Sequence, residues 1–324
     1  DANQNGYKFI PHQESYKAQV QTIAKWVAMD HMIPEVVSVK LPGLRAGDEV
    51  PVTTFQFTTQ FHSLLSDKIL NTKKNLVVNT HDPFTQYVPP DGLLGECLSG
   101  SWYQHAWNHM TQNTDCDFMI PIILYIDKTQ MSISGKLSLY PVQMSLAIFT
   151  EEIRRTSRAW RPLGYIANED YYFSQAEREV NCPDIKNERL HRQLEVILRS
   201  FRHAQEPGGM HAVPVQLGNV SKKVNLYVPL QFIIGDVEGG DQLSSRWCHK
   251  GPTCKRICRA CDVSAANCAR TDLQCNRIHV AAIHSLATNG CLDELTDLAQ
   301  RPGFNALYTF DCGNDPFGVF SMVH

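Results

Sequence analysis

Phe118-Met-Ile-Pro-Ile-Ile-Leu-Tyr-Ile126, followed at once by Asp127-Lys-Thr129, is the stretch on which the fold turns. It is an unbroken run of β-branched, aliphatic and aromatic residues, as expected for a strand buried on both faces. Pro121 has no N–H to give to a ladder, so a bulge or a start at Ile122 is expected. Downstream, Leu137–Tyr140 and Val142–Phe149 read as further strands, with Gly135 and Pro141 as breaks. From Asn187 the period changes to that of a helix: Leu190, Leu194, Ile197, Leu198 and Phe201 share one face, ending before Pro207-Gly208-Gly209. Val224–Ile234 is a second strand-like run, ending in Gly235-Asp236, and helical character returns near Asp241–Trp247.

Three strands, a helix and a strand, in that order, match the elements of a ribonuclease H-like α/β sheet. The expected fold class is therefore α/β, a mixed sheet with flanking helices. Residues 1–117 read as an irregular N-terminal region punctuated by Pro34, Pro42, Pro51, Pro83, Pro89 and Pro90, with a helix near Ser15–Asp30. Trp102, Tyr103 and Trp107 read as packing aromatics. The catalytic-type core is assigned to 118–247, a cysteine-rich insertion to 248–280, and a helical remainder leading back to the core to 281–324.

At 324 residues and 43% apolar, the chain can bury a sizeable core holding two or three sub-structures. A formal net charge of −3 advertises no polyanion partner, so any nucleic-acid surface must be a local patch. The longest apolar run falls well short of the roughly 20 residues of a membrane span. The opening Asp-Ala-Asn-Gln carries no basic or apolar leader pattern, so no secretory signal is expected. Of the 11 cysteines, several crowd between Cys248 and Cys275, which favours metal over a disulfide scaffold and a reducing compartment, nucleus or cytosol.

Asp127 and Asp236 each follow a long apolar strand, at the edge where open α/β sheets place their sites. If those strands are neighbours, the two carboxylates converge. Mg²⁺ or Mn²⁺ takes such hard oxygen donors, and a metal pair supports in-line phosphoryl transfer. The plain alternative is that each Asp caps a turn after its strand. Glu238 and Asp241, around Gly239-Gly240, read either as part of this site or as a turn leading to a helix N-cap at Asp241.

Cys258-Arg-Ala-Cys261 has the short spacing with which one knuckle turn presents two thiolates to zinc. Cys268 and Cys275 are the first choice for the second pair, with Cys248, His249, Cys254 and His279 as competitors. Some of these thiols are alternatively plain buried ones. Arg154, Arg155, Arg158 and Arg161, interleaved with Trp160, and Arg259 among the cysteines, form local basic patches suited to phosphates, or else an ordinary solvated face.

Asp117–Thr129, Pro141–Phe149 running on to Arg154-Arg155 and Trp160–Ile166, Pro229–Asp236, Gly240–Leu243 and Cys258–Asp262 form, as an ordered set, a pattern that resembles Plavaka-type transposases, allied to the Kyakuja-Dileera-Zisupton group. The resemblance covers roughly residues 85–324. It implies a ribonuclease H-like fold with a DDE/D triad, a zinc-binding insertion, divalent metals and transposon DNA, ends and target, as substrate. On it, Asp127 is the first acid and Asp236 the second. The third is expected in a block beginning where this chain stops, past His324, with Asp311 and Asp315 as in-chain substitutes.

The functional expectation is a fragment of a DDE/D-type transposase that cleaves DNA and transfers strands by metal-dependent phosphoryl transfer. The alternative is an inactive or domesticated relative, a zinc-containing module that binds DNA or protein. No membrane partner is expected, and homo-oligomerisation is left open.

Overall fold

The computed structural model describes residues 33–44, 49–92, 94–113, 115–130, 138–168, 172–173, 183–247, 256 and 258–319. The helix expected over Ser15–Asp30 lies outside them. In chain order the strands are β1 (Glu35–Val39), β2 (Val50–Thr54), β3 (Asp117–Met119), β4 (Ile122–Ile126), β5 (Thr129–Gln130), β6 (Ser138–Leu146), β7 (Arg161–Ile166), β8 (Val213–Leu217), β9 (Val220–Tyr227) and β10 (Leu230–Ile234). The helices used below are α1 (Phe57–Leu65), α2 (Ser101–Met110), α3 (Pro183–Ile197), α4 (Arg199–Gln205), α5 (Val237–Leu243), α6 (Val280–Thr288) and α7 (Leu292–Asp297). Among the described residues, no helix is long and apolar enough to cross a membrane.

The main sheet runs β1-β2-β7-β6-β4-β10, with β5 hairpinned onto β6. All its pairs are antiparallel except β4 with β10, which is parallel. β4 is the buried centre, its Ile122, Leu124 and Ile126 fully covered. A small sheet, β3-β9-β8, stands beside it.

Pro121 acts as expected: β4 starts at Ile122. The quoted run therefore crosses between sheets, β3 lying in the small one and β4 in the large one. The run Val224–Ile234, expected as one strand, is likewise split at Pro229 into β9 and β10. The N–H of Ile120 donates to Tyr227 O and that of Ile122 to Pro229 O. The two runs thus stay side by side and parallel through the step. Proline, with no donor, ends the ladder at the same level in both.

Two other expectations are corrected. Pro141 does not break a strand: β6 is continuous through it, because Pro141 falls one residue beyond the last β4 pair, Ile126↔Val142, where a missing donor costs little. The third strand of the core is β7, not a segment ending at Phe149. The N-terminal stretch expected to be irregular is ordered over its described part, where β1 and β2 extend the sheet from β7.

The expected helical face of Leu190, Leu194, Ile197, Leu198 and Phe201 is buried, with a break at Leu198 that separates α3 from α4. α3 lies on β2 and β7: Thr54 Oγ1 donates to Ile197 O, and a Cβ at Gly164 would sit 2.8 Å from the Ile197 side chain. Phe201 of α4 stacks on Phe57 of α1, with centroids 4.6 Å apart. On β3, Phe118 packs against Trp107 of α2 and against Phe84. Tyr103 and Trp107 are core aromatics, as expected.

His191 of α3 is fully buried, its Nε2 within 3.2 Å of both Gln242 O and Ser245 Oγ. Burial pushes the imidazole down to about 4, the Gln242 carbonyl opposing. The folded state therefore takes up this proton only near pH 4, the unfolded chain near 6.5. The stability held above pH 6.5 is lost as pH falls from 6.5 to 4, by roughly 3 kcal/mol at most from this one group. Urea unfolding at the two ends of that window should show a smaller pH difference in His191→Gln. An equal difference in both proteins would remove His191 as the cause.

Candidate functional site

The last pair in the parallel β4–β10 ladder is Tyr125↔Ile234. Asp127 and Asp236 each come two residues later, so they leave the same sheet edge side by side, on strands about 4.8 Å apart. Gly235 lets the chains run this close: a Cβ there would sit 2.9 Å from Ile126 O. Asp236 then turns the chain into α5 as its N-cap, its Oδ1 accepting the Gly239 N–H at 2.5 Å. The expected N-cap at Asp241 is thus corrected to Asp236.

Asp127 is half-buried and its Oδ2 accepts the Tyr125 hydroxyl at 3.2 Å. Burial first, then the charge and hydrogen bond of Asp127, with Asp236 adding, hold the Tyr125 phenol above its ordinary value. Burial also pushes Tyr140 of β6 up to about 12, and again both Asp127 and Asp236 contribute. Each of the two phenols thus feels both carboxylates. Among the described residues neither Asp has an ion-pair partner, so both carboxylates stay open to a cation, and oxygen donors of this kind suit a hard divalent ion. The described residues hold no group of three or more His, Cys, Asp or Glu that could hold a metal ion. The pair supplies two carboxylates and leaves the remaining coordination positions to water or substrate.

Tyr125 and Tyr140 were not read from the sequence as site residues. The signal for Tyr125 was present: two residues before Asp127 on a strand, it shares that side chain's face. Nothing in the sequence marked Tyr140.

The in-chain substitutes for a third acid do not join the pair. Asp311 O accepts the Leu230 N–H at the start of β10, the far end from Asp236. Its carboxylate caps the Gly313 N–H and that of Asp315 caps Phe317. Asp241 is occupied structurally, 3.6 Å from Arg246 and 3.5 Å from Arg259. The Glu238 side chain lies outside the described residues.

Of the cysteines, Cys258 and Cys261 come together as the spacing suggested. The Ala260 N–H donates to Cys258 Sγ at 3.3 Å, and each thiol shifts the other's protonation. Partial burial alone would raise the Cys258 thiol. The N–H of Ala260, the Cys261 thiol and N–H, and Arg246 together bring it below its ordinary value. Cys261, pushed up to about 11 by burial first and then by Cys258 and Cys275, is the proton-retaining partner. Cys275 lies on the strand-like segment facing them, where Cys261 bridges Arg277 and Ile278 N–H donates to Ala260 O. Cys268 and Cys275 are both exposed. Cys248, His249 and Cys254 lie outside the described residues.

Arg154, Arg155 and Arg158 lie in the β6–β7 connection, which follows the end of β6 paired with the start of β4, whereas Arg161 opens β7 and pairs with Met144, level with Leu124. Arg154 is largely covered: it pairs with Glu96 at 2.9 Å and donates to Ala147 O and Phe149 O. Arg161 donates to Ser63 Oγ and to the carbonyls of Arg158 and Trp160. Arg158 pairs with Asp67 at 2.7 Å and Arg155 with Glu151 at 2.5 Å, both leaving their heads in solvent. Only the latter two present charge outward. Arg259 is tied to Asp241.

A family model described as Plavaka transposase matches residues 46–308. No curated protein matches the chain.

Proposed function

The chain belongs to the Plavaka transposase family, and from that premise we propose that it carries a ribonuclease H-like, DDE/D-type site that cuts and joins DNA. The reading rests on one observation, the parallel pairing of β4 with β10, in register up to Tyr125↔Ile234, with an aspartate two residues past each partner. The strand order β7-β6-β4-β10, with only the last pair parallel, supports the ribonuclease H-like assignment.

Asp127 and Asp236 would hold Mg²⁺ or Mn²⁺, which would supply activation of the attacking water or 3′-hydroxyl and neutralisation of the leaving oxygen. The chain's own work is orientation. The Tyr125 hydroxyl fixes Asp127, and the Gly239 N–H fixes Asp236 through one oxygen. Tyr125 and Tyr140 stay protonated at neutral pH and add no further negative charge. DNA is the partner and the nucleus the place of work on this reading.

The test is nicking of duplex DNA by the full-length protein in Mn²⁺, with chelator as the control. Nicking that survives chelation rejects metal-dependent chemistry at this site. DNA binding with no metal-dependent nicking favours the alternative, a binding module on the same scaffold.

The proposal extends to a structural Zn²⁺ held by the Cys258–Cys261 knuckle. The N–H···S bond from Ala260 and the lowered Cys258 thiol suit a thiolate ligand. Cys268 and Cys275, the expected second pair, are both exposed, and the described residues bring no third donor into a group with the knuckle. Metal analysis of the purified protein should show one zinc equivalent that Cys258→Ser loses. Full zinc content in Cys258→Ser would remove that residue from the ligand set.

A further inference from the structure

A cleft of about 970 Å³ opens between the C-terminal end of α1, the segment 66–83 and the β8–β9 hairpin. It is preformed. Asn71 Nδ2 donates to Leu65 O and to Gln216 O, each at 2.7 Å, and its Oδ1 accepts the Gly218 N–H at 2.8 Å, so one side chain clamps the hairpin to the helix.

Lys68 and Lys73 carry the charge on its walls, His62 and His81 also line it, and no Asp or Glu does. Burial lowers the His62 imidazole, so the two lysines are the cations that count. Lys68 and Lys73 are exposed, and among the described residues neither pairs with a carboxylate. Of the two acids in the segment, Asp67 is taken up by Arg158, with Arg161 beside it, and by the N–H groups of Ile69 and Leu70, and exposed Asp82, which does not line the cleft, accepts the Phe84 N–H. In a chain of net charge −3 this is a concentrated positive site. Hydroxyl and amide groups of Ser66, Thr80, Asn79 and Ser221 stand among the cations, the donor types that contact phosphate oxygens. No Phe, Tyr or Trp lines the cleft. Grooves for unpaired strands stack bases on aromatic rings, so a duplex backbone fits better than a single strand.

The cleft sits at the other end of the main sheet from the acids. Its segment joins the residues just past β6, through the Leu76↔Phe149 bridge and the Val77 N–H to Ile148 O. Asp127 follows the pair Ile126↔Val142 near the start of β6. At about 3.3 Å per residue this places the cleft on the order of 20–25 Å from the acid pair, about six or seven base-pair steps of DNA. Arg155 and Arg158, with their solvent-facing heads, lie on the same end.

We propose that this cleft is a separate DNA-anchoring site that grips the phosphate backbone of a duplex, about two-thirds of a helical turn from the scissile position. DNA as the polyanion rests on the transposase reading; the preference for phosphates rests on the cleft.

The experiment is fluorescence anisotropy with the full-length protein in chelator, so that no nicking is needed, over a salt series with duplex and single-stranded DNA of one sequence. Lys68→Gln/Lys73→Gln should lower the slope of log affinity against log salt by about two, equally for unrelated sequences. Lys68→Arg/Lys73→Arg should restore it, and Lys186→Gln, on the exposed side of α3, should leave it unchanged. Both target side chains are exposed, so the melting temperature should not move. An unchanged slope in the Gln pair, or single strands bound as tightly as duplex, overturns the proposal. Asp127→Asn should leave this slope intact, so failure of the anchoring site and failure of the acid pair read out separately.

Discussion

Asp127→Asn and Asp236→Asn should each lower Mn²⁺-dependent nicking by the full-length protein on the order of a thousandfold, about 4 kcal/mol of transition-state stabilisation. The loss is expected to be chemical and not structural. Asn at position 127 still accepts the Tyr125 hydroxyl bond. Asn at position 236 is as good an N-cap as Asp, so the Gly239 N–H keeps an acceptor. Each substitution also removes one of two neighbouring like charges, so melting without metal should stay level or rise slightly. What is lost is one anionic ligand from a site with two among the described residues. Raising Mn²⁺ should recover part of the rate if the defect lies in metal occupancy. Nicking within a few-fold of wild type in either variant would reject that residue.

Arg246→Ala should cost about 3–5 kcal/mol of folding stability, by denaturant titration. The Arg246 side chain is only 1% exposed, beside an Asp241 side chain 15% exposed. It also reaches Arg256 O at 3.4 Å, and its own carbonyl accepts Arg301 Nε. It therefore joins α5 to the cysteine-rich segment and to the chain around residue 300. Truncation leaves Asp241 with Arg259 alone, in a place water barely reaches, and a buried charge stripped of a partner costs more than the pair contributes. The double variant Arg246→Met/Asp241→Asn, with no charge left to strand, should recover a good part of the loss. A loss below about 1 kcal/mol in Arg246→Ala would show that Asp241 is held by other groups. Because Arg246 also faces Cys258, Arg246→Ala should weaken zinc retention as well.

Much of the site was legible because it depends on local pattern. A β-branched run ending in aspartate marks a strand delivering a carboxylate to a sheet edge, and it occurs twice. The C-x2-C knuckle is just as local, and its two thiols do meet. The arginine patch was legible only as a cluster, because local clustering says nothing about the level of the sheet a connection occupies, or that Glu96 and Asp67 pair with two of its members. Pro141 misled because the cost of a missing N–H depends on where the neighbouring ladder ends.

By itself the sequence determined the strand and helix periods, the stop at Pro121, the two strand-end acids and the thiol pair, since each is set by a few consecutive side chains. Only the tertiary structure decided that β4 and β10 are parallel neighbours in register, that Tyr125 and Tyr140 face both acids, that Asp311 sits at the wrong end, and that a cationic cleft forms opposite. Those facts arise from pairings between segments distant along the chain, whose register is chosen by the shared burial of both strands' side chains.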